Sequence, residues 1–255
     1  MVNFKITELD ANTTPIGTDI IPIVDDPGGS PTTQKITLAS LGIIDGWIPA
    51  SESWAYASAS TITVPSGAAL KYKKGDKIKL TQQSVVKYFY IVSVADTVLT
   101  IVGGTTSSLV AETITSNYYS HKENPIGFPD IFTYTVALTN ITIGSGVIDG
   151  IFKIIGNLCH VWIYLIWAAD TSCSGNQTFS IPITTLNNSE LSVGTAWMID
   201  GGSAVGYIGV VPTAASSNLV IPRYNQAAGY SPITNAVPFT WANTDSLNIQ
   251  MIIPF

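Results

Sequence analysis

Few side chains in this 255-residue chain could do acid–base, nucleophilic or metal chemistry. They are two histidines (His121 and His160), two cysteines (Cys159 and Cys173) and scattered carboxylates. Their spacing writes no zinc site of the CxxC or HExxH kind. Cys159 and His160 are neighbours in an apolar run that reads as a strand. Their side chains therefore point to opposite faces and cannot form a nucleophile–base couple. Gly201-Gly202-Ser203-Ala204-Val205 lacks the glycine at position 205 that a GxSxG elbow needs. Gly103-Gly104 and Gly201-Gly202 lack the downstream lysine and helix of a phosphate loop. The carboxylates Asp149, Asp170, Glu190, Asp200 and Asp245 stand alone, mostly in turn-like surroundings. Two carboxylates about 5 to 10 Å apart would serve glycoside hydrolysis, so a polysaccharide depolymerase stays as the enzymatic alternative. The leading expectation is a protein that is not an enzyme, with no catalytic residue, no metal and no cofactor.

Binding chemistry is better represented. Residues 151–155 and 158–167 are β-branched and aromatic runs around Gly156-Asn157, which reads as a β-hairpin with a two-residue turn. Alternation puts Cys159, Val161, Ile163, Leu165 and Trp167 on one face of the second strand, the core face. His160, Trp162, Tyr164 and Ile166 share the other face. It is too aromatic for ordinary solvent-facing surface, yet it carries imidazole, indole and hydroxyl groups. A subunit interface is the first reading of this face; second-layer core and a ligand platform are the alternatives. Trp197, Tyr207, Tyr224 and Tyr230 lie near turns and could stack on sugars, with core or interface aromatics as the competing reading.

The composition says what must position these groups. Apolar residues make up 46% of the chain and charged residues only 11%, against roughly 25% charged in ordinary globular chains. A lone folded molecule needs more charge to cover its surface, so part of this surface is expected to be hidden in an oligomer or a larger assembly. The net charge of -6 argues against nucleic acid as a partner. No apolar run reaches the roughly 18 residues of a membrane span, and residues 1–6 do not read as a secretory signal. Two cysteines make no disulfide framework, and two free thiols fit a reducing cytoplasm.

Taken in order, the chain reads as all-β. Residues 1–46 hold two short strands around a Gly/Pro/Ser turn, with two basic and six acidic residues, and are too small for a core of their own. Residues 47–122 hold five or six short strands, the pattern of a small antiparallel β-barrel. Here Lys71, Lys73, Lys74, Lys77 and Lys79 cluster around one turn. A solvated face is the first reading of this cluster, and a contact with an acidic neighbour the second. Residues 123–129, with two prolines and a glycine, read as a linker. Residues 130–255 hold about eight strands separated by Gly, Asn, Ser and Pro turns. They read as a two-sheet β-sandwich of the jelly-roll kind.

Lys5-Ile6-Thr7-Glu8-Leu9, then residues 19–26, then Gln34 to Leu41 resemble the N-terminal segment by which fibre, collar and appendage proteins of tailed bacteriophages attach to the virion. Residues 74–82 with 87–92 are similar to a small β-domain found beside that segment. Gly144-Ser145-Gly146, Gly150, Gly156, Ser180-Ile181-Pro182 and residues 238–249 are similar to the trimeric jelly-roll heads at appendage tips. The resemblance implies a virion structural protein, assembled in the host cytoplasm as a homotrimer. It would dock on other virion proteins through Ile6, Leu9, Ile20, Ile21, Ile23, Ile36, Leu38 and Leu41, with its C-terminal head facing outward for host attachment. A tail-tip protein dedicated to binding a host glycan or receptor is the alternative. The chain departs from long tail fibres in having no repeats and no coiled-coil shaft, which favours a short trimeric appendage on the tail, collar or head.

Overall fold

Period-two alternation of apolar residues dominates the chain, and in the computed structural model its regular structure is almost entirely strand, with one helical turn among the described residues. The structure describes residues 15–16, 18–25, 29, 32–38, 41, 44–184, 193–212, 219–226 and 229–255. Among these, the strands form four antiparallel sheets. The all-β class read from the sequence is what the chain adopts.

The first sheet is a hairpin, β1 (Ile20–Asp25) with β2 (Thr32–Thr37), and its strands pair only with each other. Among the described residues, no buried hydrophobic precedes Trp47.

The second sheet has seven strands. They are β3 (Ile48–Pro49), β4 (Ala55–Ser58), β5 (Thr61–Thr63), β6 (Lys77–Gln82), β7 (Val85–Val94), β8 (Val98–Val102) and β9 (Thr115–Ser120), with one helical turn, α1 (Ala68–Lys71), after β5. The order is β3-β9-β6-β7-β8-β5-β4. This corrects the expected small barrel, because the end strands β3 and β4 do not pair and the sheet stays open. The reason is local. β3 has two residues, β4 has four, and residues 111–114 beside β4 form no strand, with a bend at Ala111 and Glu112. A groove of about 440 Å³ lined by Trp54, Tyr56, Glu112 and Ile114 lies where closure would occur. The concave side packs Trp54, Ile62, Tyr72, Ile78, Leu80, Phe89, Ile91 and Leu99 into one core.

The remaining strands are β10 (Phe132–Tyr134), β11 (Leu138–Thr142), β12 (Val147–Ile155), β13 (Leu158–Ile166), β14 (Ser172–Ser180), β15 (Val193–Asp200), β16 (Val205–Pro212), β17 (Leu219–Val220), β18 (Arg223–Gln226), β19 (Gly229–Pro232) and β20 (Ser246–Pro254). An eight-stranded sheet, β10-β12-β13-β20-β15-β16-β18-β19, faces a three-stranded one, β11-β14-β17. The two-sheet sandwich is therefore present, but its strands divide eight and three. Three of the four nine-residue strands, β12, β13 and β20, fall in the larger sheet and the fourth, β14, in the smaller, and the even split of a jelly roll does not arise. Cys159, Val161, Ile163 and Leu165 of β13, and Leu247, Ile249, Met251 and Ile253 of β20, are buried between the sheets. Burial pushes the Cys159 thiol well above its ordinary range.

An aromatic seam joins the two larger assemblies. The Phe128 ring centroid lies 4.9 Å from that of Tyr90 and 5.5 Å from that of Phe132, and Phe132 stacks on Phe152 at 5.5 Å. Burial in this seam pushes the Tyr90 phenol up to about 12. Residues 123–129 run through it: the Trp47 indole donates to the Ile126 carbonyl at 2.8 Å, and the Ile126 amide donates to the Asp45 carbonyl at 2.8 Å. Beside it, the β12–β13 turn rests on Gly75. That residue has φ +84°, and a Cβ there would lie 1.9 Å from the Gly156 carbonyl oxygen. Only glycine fits both the dihedral and the approach.

Candidate assembly surfaces

The β12–β13 hairpin forms with the register its sequence dictates. Ile155 pairs with Leu158 across Gly156-Asn157, and Gly156 has φ +59°. One face of β13 is closed by the smaller sheet, so His160, Trp162, Tyr164 and Ile166 fall on the opposite, outer face. His160, Trp162 and Ile166 are half-buried there and Tyr164 is 40% exposed. The His160 and Trp162 rings stack at 6.2 Å. The four residues are brought together, and none of them is fully buried.

Register extends this face across neighbouring strands. Tyr164 pairs with Asp149 of β12 and Asn248 of β20, and Asn248 pairs with Trp197 of β15, which pairs with Ile208 of β16. The next row runs Ile151, Trp162, Gln250, Thr195 and Val210. Trp197 is 46% exposed and Ile208 64%. The Trp197 ring crosses Gly206, where a Cβ would come within 2.7 Å of it. Among the described residues on this face of β12, β13, β20, β15 and β16, the ionic side chains are Asp149 and Lys153. Two shallow grooves flank Trp162. One of about 470 Å³ is walled by Ile131, Ile151, Trp162 and Tyr164, with Asp149 and Asn248 beside them. The other, of about 310 Å³, lies between His160, Trp162, Thr195, Gln250 and Ile252. The contributions of Ile252, Ile208 and Ile131 were missed in the sequence. For Ile252 the signal was present, because the alternation of β20 already sets it on the outer face.

The second surface is the β1–β2 hairpin. Ile20 is 56% exposed, Ile21, Ile23 and Leu41 are also exposed, and Ile36 and Leu38 are half-buried. Ile6 and Leu9 lie outside the described residues. Ile20 and Ile21 point to opposite faces of β1, so neither face of the strand is covered.

The candidate sugar-stacking aromatics do not converge. The Tyr207 ring centroid sits 5.7 Å from that of Tyr224 and 5.1 Å from that of Phe239, on the inner face against the core. Trp197 and Tyr230 are exposed, Trp197 on the outer face of β15 and Tyr230 on the edge strand β19.

The lysine cluster divides: Lys73 and Lys74 are exposed, as a solvated face expects, whereas Lys71, Lys77 and Lys79 serve the fold. Lys77 is 3% exposed, with its Nζ 3.2 Å from Glu123. The Lys79 Nζ lies 4.7 Å from the Trp47 ring centroid and 4.5 Å from that of Tyr118. The Lys71 Nζ donates to Glu52 at 2.8 Å. Tyr72 and the Trp54 indole also donate to that carboxylate. Burial opposes the charge on Glu52, but the hydrogen bonds from Lys71, Tyr72 and Trp54 and the Lys71 charge outweigh it and hold the carboxyl below its usual range.

The carboxylates considered for hydrolysis hold turns. Asp170 accepts from the Ser145 hydroxyl at 2.6 Å and its amide at 2.8 Å. Asp200 accepts from the Gly202 and Ser203 amides, and the buried Asp245 from the Gly201 and Ala242 amides. Asp149 stands on the outer sheet face, and Glu190 is outside the described residues. Among the described residues, no group of three or more His, Cys, Asp or Glu side chains is placed to hold a metal ion. No described helix is long and apolar enough to cross a membrane. The chain matches no family model, no curated protein and no solved structure.

Proposed function

We propose that the chain is a non-enzymatic structural subunit of a tailed-bacteriophage virion, forming a short homotrimeric appendage. Residues 1–46 dock it to other virion proteins, and residues 130–255 form the outward head, with host attachment as its role. The observation that carries this reading is the uncovered outer face of the eight-stranded sheet. Across five strands it presents Trp162, Tyr164, Trp197, Ile208 and Ile252 with two ionic side chains among the described residues. A face of this size and polarity is unfavourable in water and favourable between subunits. The exposed isoleucines of β1 support a second, separate contact. Deleting residues 1–41 tests the docking role. The truncated protein is expected to keep its oligomeric mass and to be missing from assembled particles. Incorporation at the full-length level overturns the docking assignment.

A receptor-binding tip is the second reading, favoured by the exposed rings of Trp197 and Tyr230. Retention of the full chain on a glycan array, lost on Trp197→Ala, would support it.

A further inference from the structure

Positive charge is scarce in the C-terminal sandwich. Over residues 130–255 the basic side chains are Lys153 and Arg223 alone. Lys153 stands on β12, and Arg223 on β18, next to the edge strand β19 of the eight-stranded sheet. Tyr224 turns inward to Tyr207 and the core, so its neighbours Arg223 and Asn225 project from the outer face. Arg223 lies opposite Val210 of β16 and Pro232 of β19, and Asn225 lies opposite Tyr230. Residues opposite one another in an antiparallel ladder share a face, so Tyr230, 54% exposed, stands on the same side. Arg223 and Tyr230 are thus diagonal neighbours across β18 and β19, a spacing of about 7–8 Å. This strip lies beyond the five strands assigned to subunit contact.

The Arg223 guanidinium has no counter-ion. Its Nε is buried without a hydrogen-bond partner, and among the described residues no carboxylate pairs with it. Asp170, Asp200 and Asp245 are held by turn amides, and Asp149 stands on β12, five strands away. The side chain is half-buried. Its stem is packed, and the Nη donors of the planar fork are left for a ligand. Such a fork favours an anion. The exposed ring beside it favours an apolar surface, and the exposed Asn225 amide offers a donor and an acceptor. A sugar ring bearing an acid group supplies all three complements.

Resting on the second reading, the receptor-binding tip, we propose that the β18–β19 edge is a subsite for an acidic sugar. The acid group sits on the Arg223 Nη donors, the apolar face of the sugar lies on Tyr230, and its hydroxyls meet Asn225. The acid group is a carboxylate or a phosphate, both of which match the guanidinium fork. The net charge of -6 opposes general capture of an acidic polymer, so the contact is confined to a place with its own cation.

A glycan array printed with matched oligosaccharides, ending in glucuronate, in a phosphorylated glucose or in glucose, tests this with the full chain. Retention on at least one acidic member is expected to exceed that on the glucose member by about tenfold or more, and to weaken as salt rises. The favoured member names the acid group. Arg223→Gln is expected to lower acidic retention to the glucose level, and Tyr230→Ala to lower it as well, with thermal unfolding showing both variants folded. If Arg223→Gln fails to fold, the acid-to-neutral ratio and the salt series of the wild type decide. Equal retention on all three members, or acidic retention that Arg223→Gln leaves unchanged, overturns the subsite. If equal retention is lost on Trp197→Ala, the receptor reading stands without the subsite. Retention on no glycan removes both, so the two failures can be told apart.

Discussion

Two hairpins of this molecule are written in similar residues and meet different fates. β1 carries Ile20, Ile21 and Ile23, and β13 carries Val161, Ile163 and Leu165. The β1–β2 pair has six residues of register and, among the described residues, no third strand. The β12–β13 pair has nine, with β10 and β20 on its flanks and a second sheet over one face. The isoleucines of β1 remain exposed, whereas Val161 and Leu165 are fully buried. A two-stranded hairpin is marginal in water, and a third strand or a covering layer makes it stable. Residue type thus selects the strand, and the number of neighbours decides whether the strand supports itself. The docking role proposed for residues 1–46 rests on this difference.

The comparison breaks most readily at its buried end. Phe152 is fully buried and stacks on Phe132, so Phe152→Ala is expected to lower the unfolding free energy by about 3–5 kcal/mol in urea titration. Gly75 and Gly156, which face each other across the seam, sharpen it next. Gly75→Ala meets the Gly156 carbonyl and a positive φ together, for an expected loss on the order of 3 kcal/mol. Gly156→Ala meets only the positive φ, with nothing within 4 Å of the new Cβ, for about 1 kcal/mol. Equal losses would mean that the two assemblies are not in contact there.

A smaller effect concerns pH. Because Glu52 is held below its ordinary value of 4.5 in the folded state, its contribution is present above that value and is lost as pH falls through the lower, folded one. Chemical unfolding between pH 6 and pH 3 should show stability falling in that acidic range. Glu52→Gln should flatten part of the fall, by no more than about 1 kcal/mol since the carboxylate is partly exposed and screened. The smallest effect belongs to the free hairpin: Ile21→Ala is expected to change the stability of the purified chain by less than about 0.5 kcal/mol, read in the same urea titration. A loss of several kcal/mol would place Ile21 in a contact within the chain.

The strands and their inner faces were legible because alternation is local. The run from Cys159 to Trp167 and the run from Leu247 to Phe255 name their own buried sides. Closure of the second sheet was not legible. It depends on whether β4 and residues 111–114 pair, and five or six short strands look alike in sequence whether or not their ends meet. Part of the lysine cluster misled for a similar reason. Lys77 and Lys79 find Glu123, Trp47 and Tyr118 only through tertiary contact, so their spacing resembles that of a solvated face. Of the outer face, the sequence marks the four alternate residues of β13. Its extension to Trp197 and Ile208 follows from β20 lying between β13 and β15, a strand order that no local pattern carries.

The central claim is that this chain completes its surface with copies of itself. Sedimentation equilibrium of the full-length protein at micromolar concentration tests it most directly. Three chain masses, unchanged as the sample is diluted, are predicted; a mass of one chain across the same range would contradict the account.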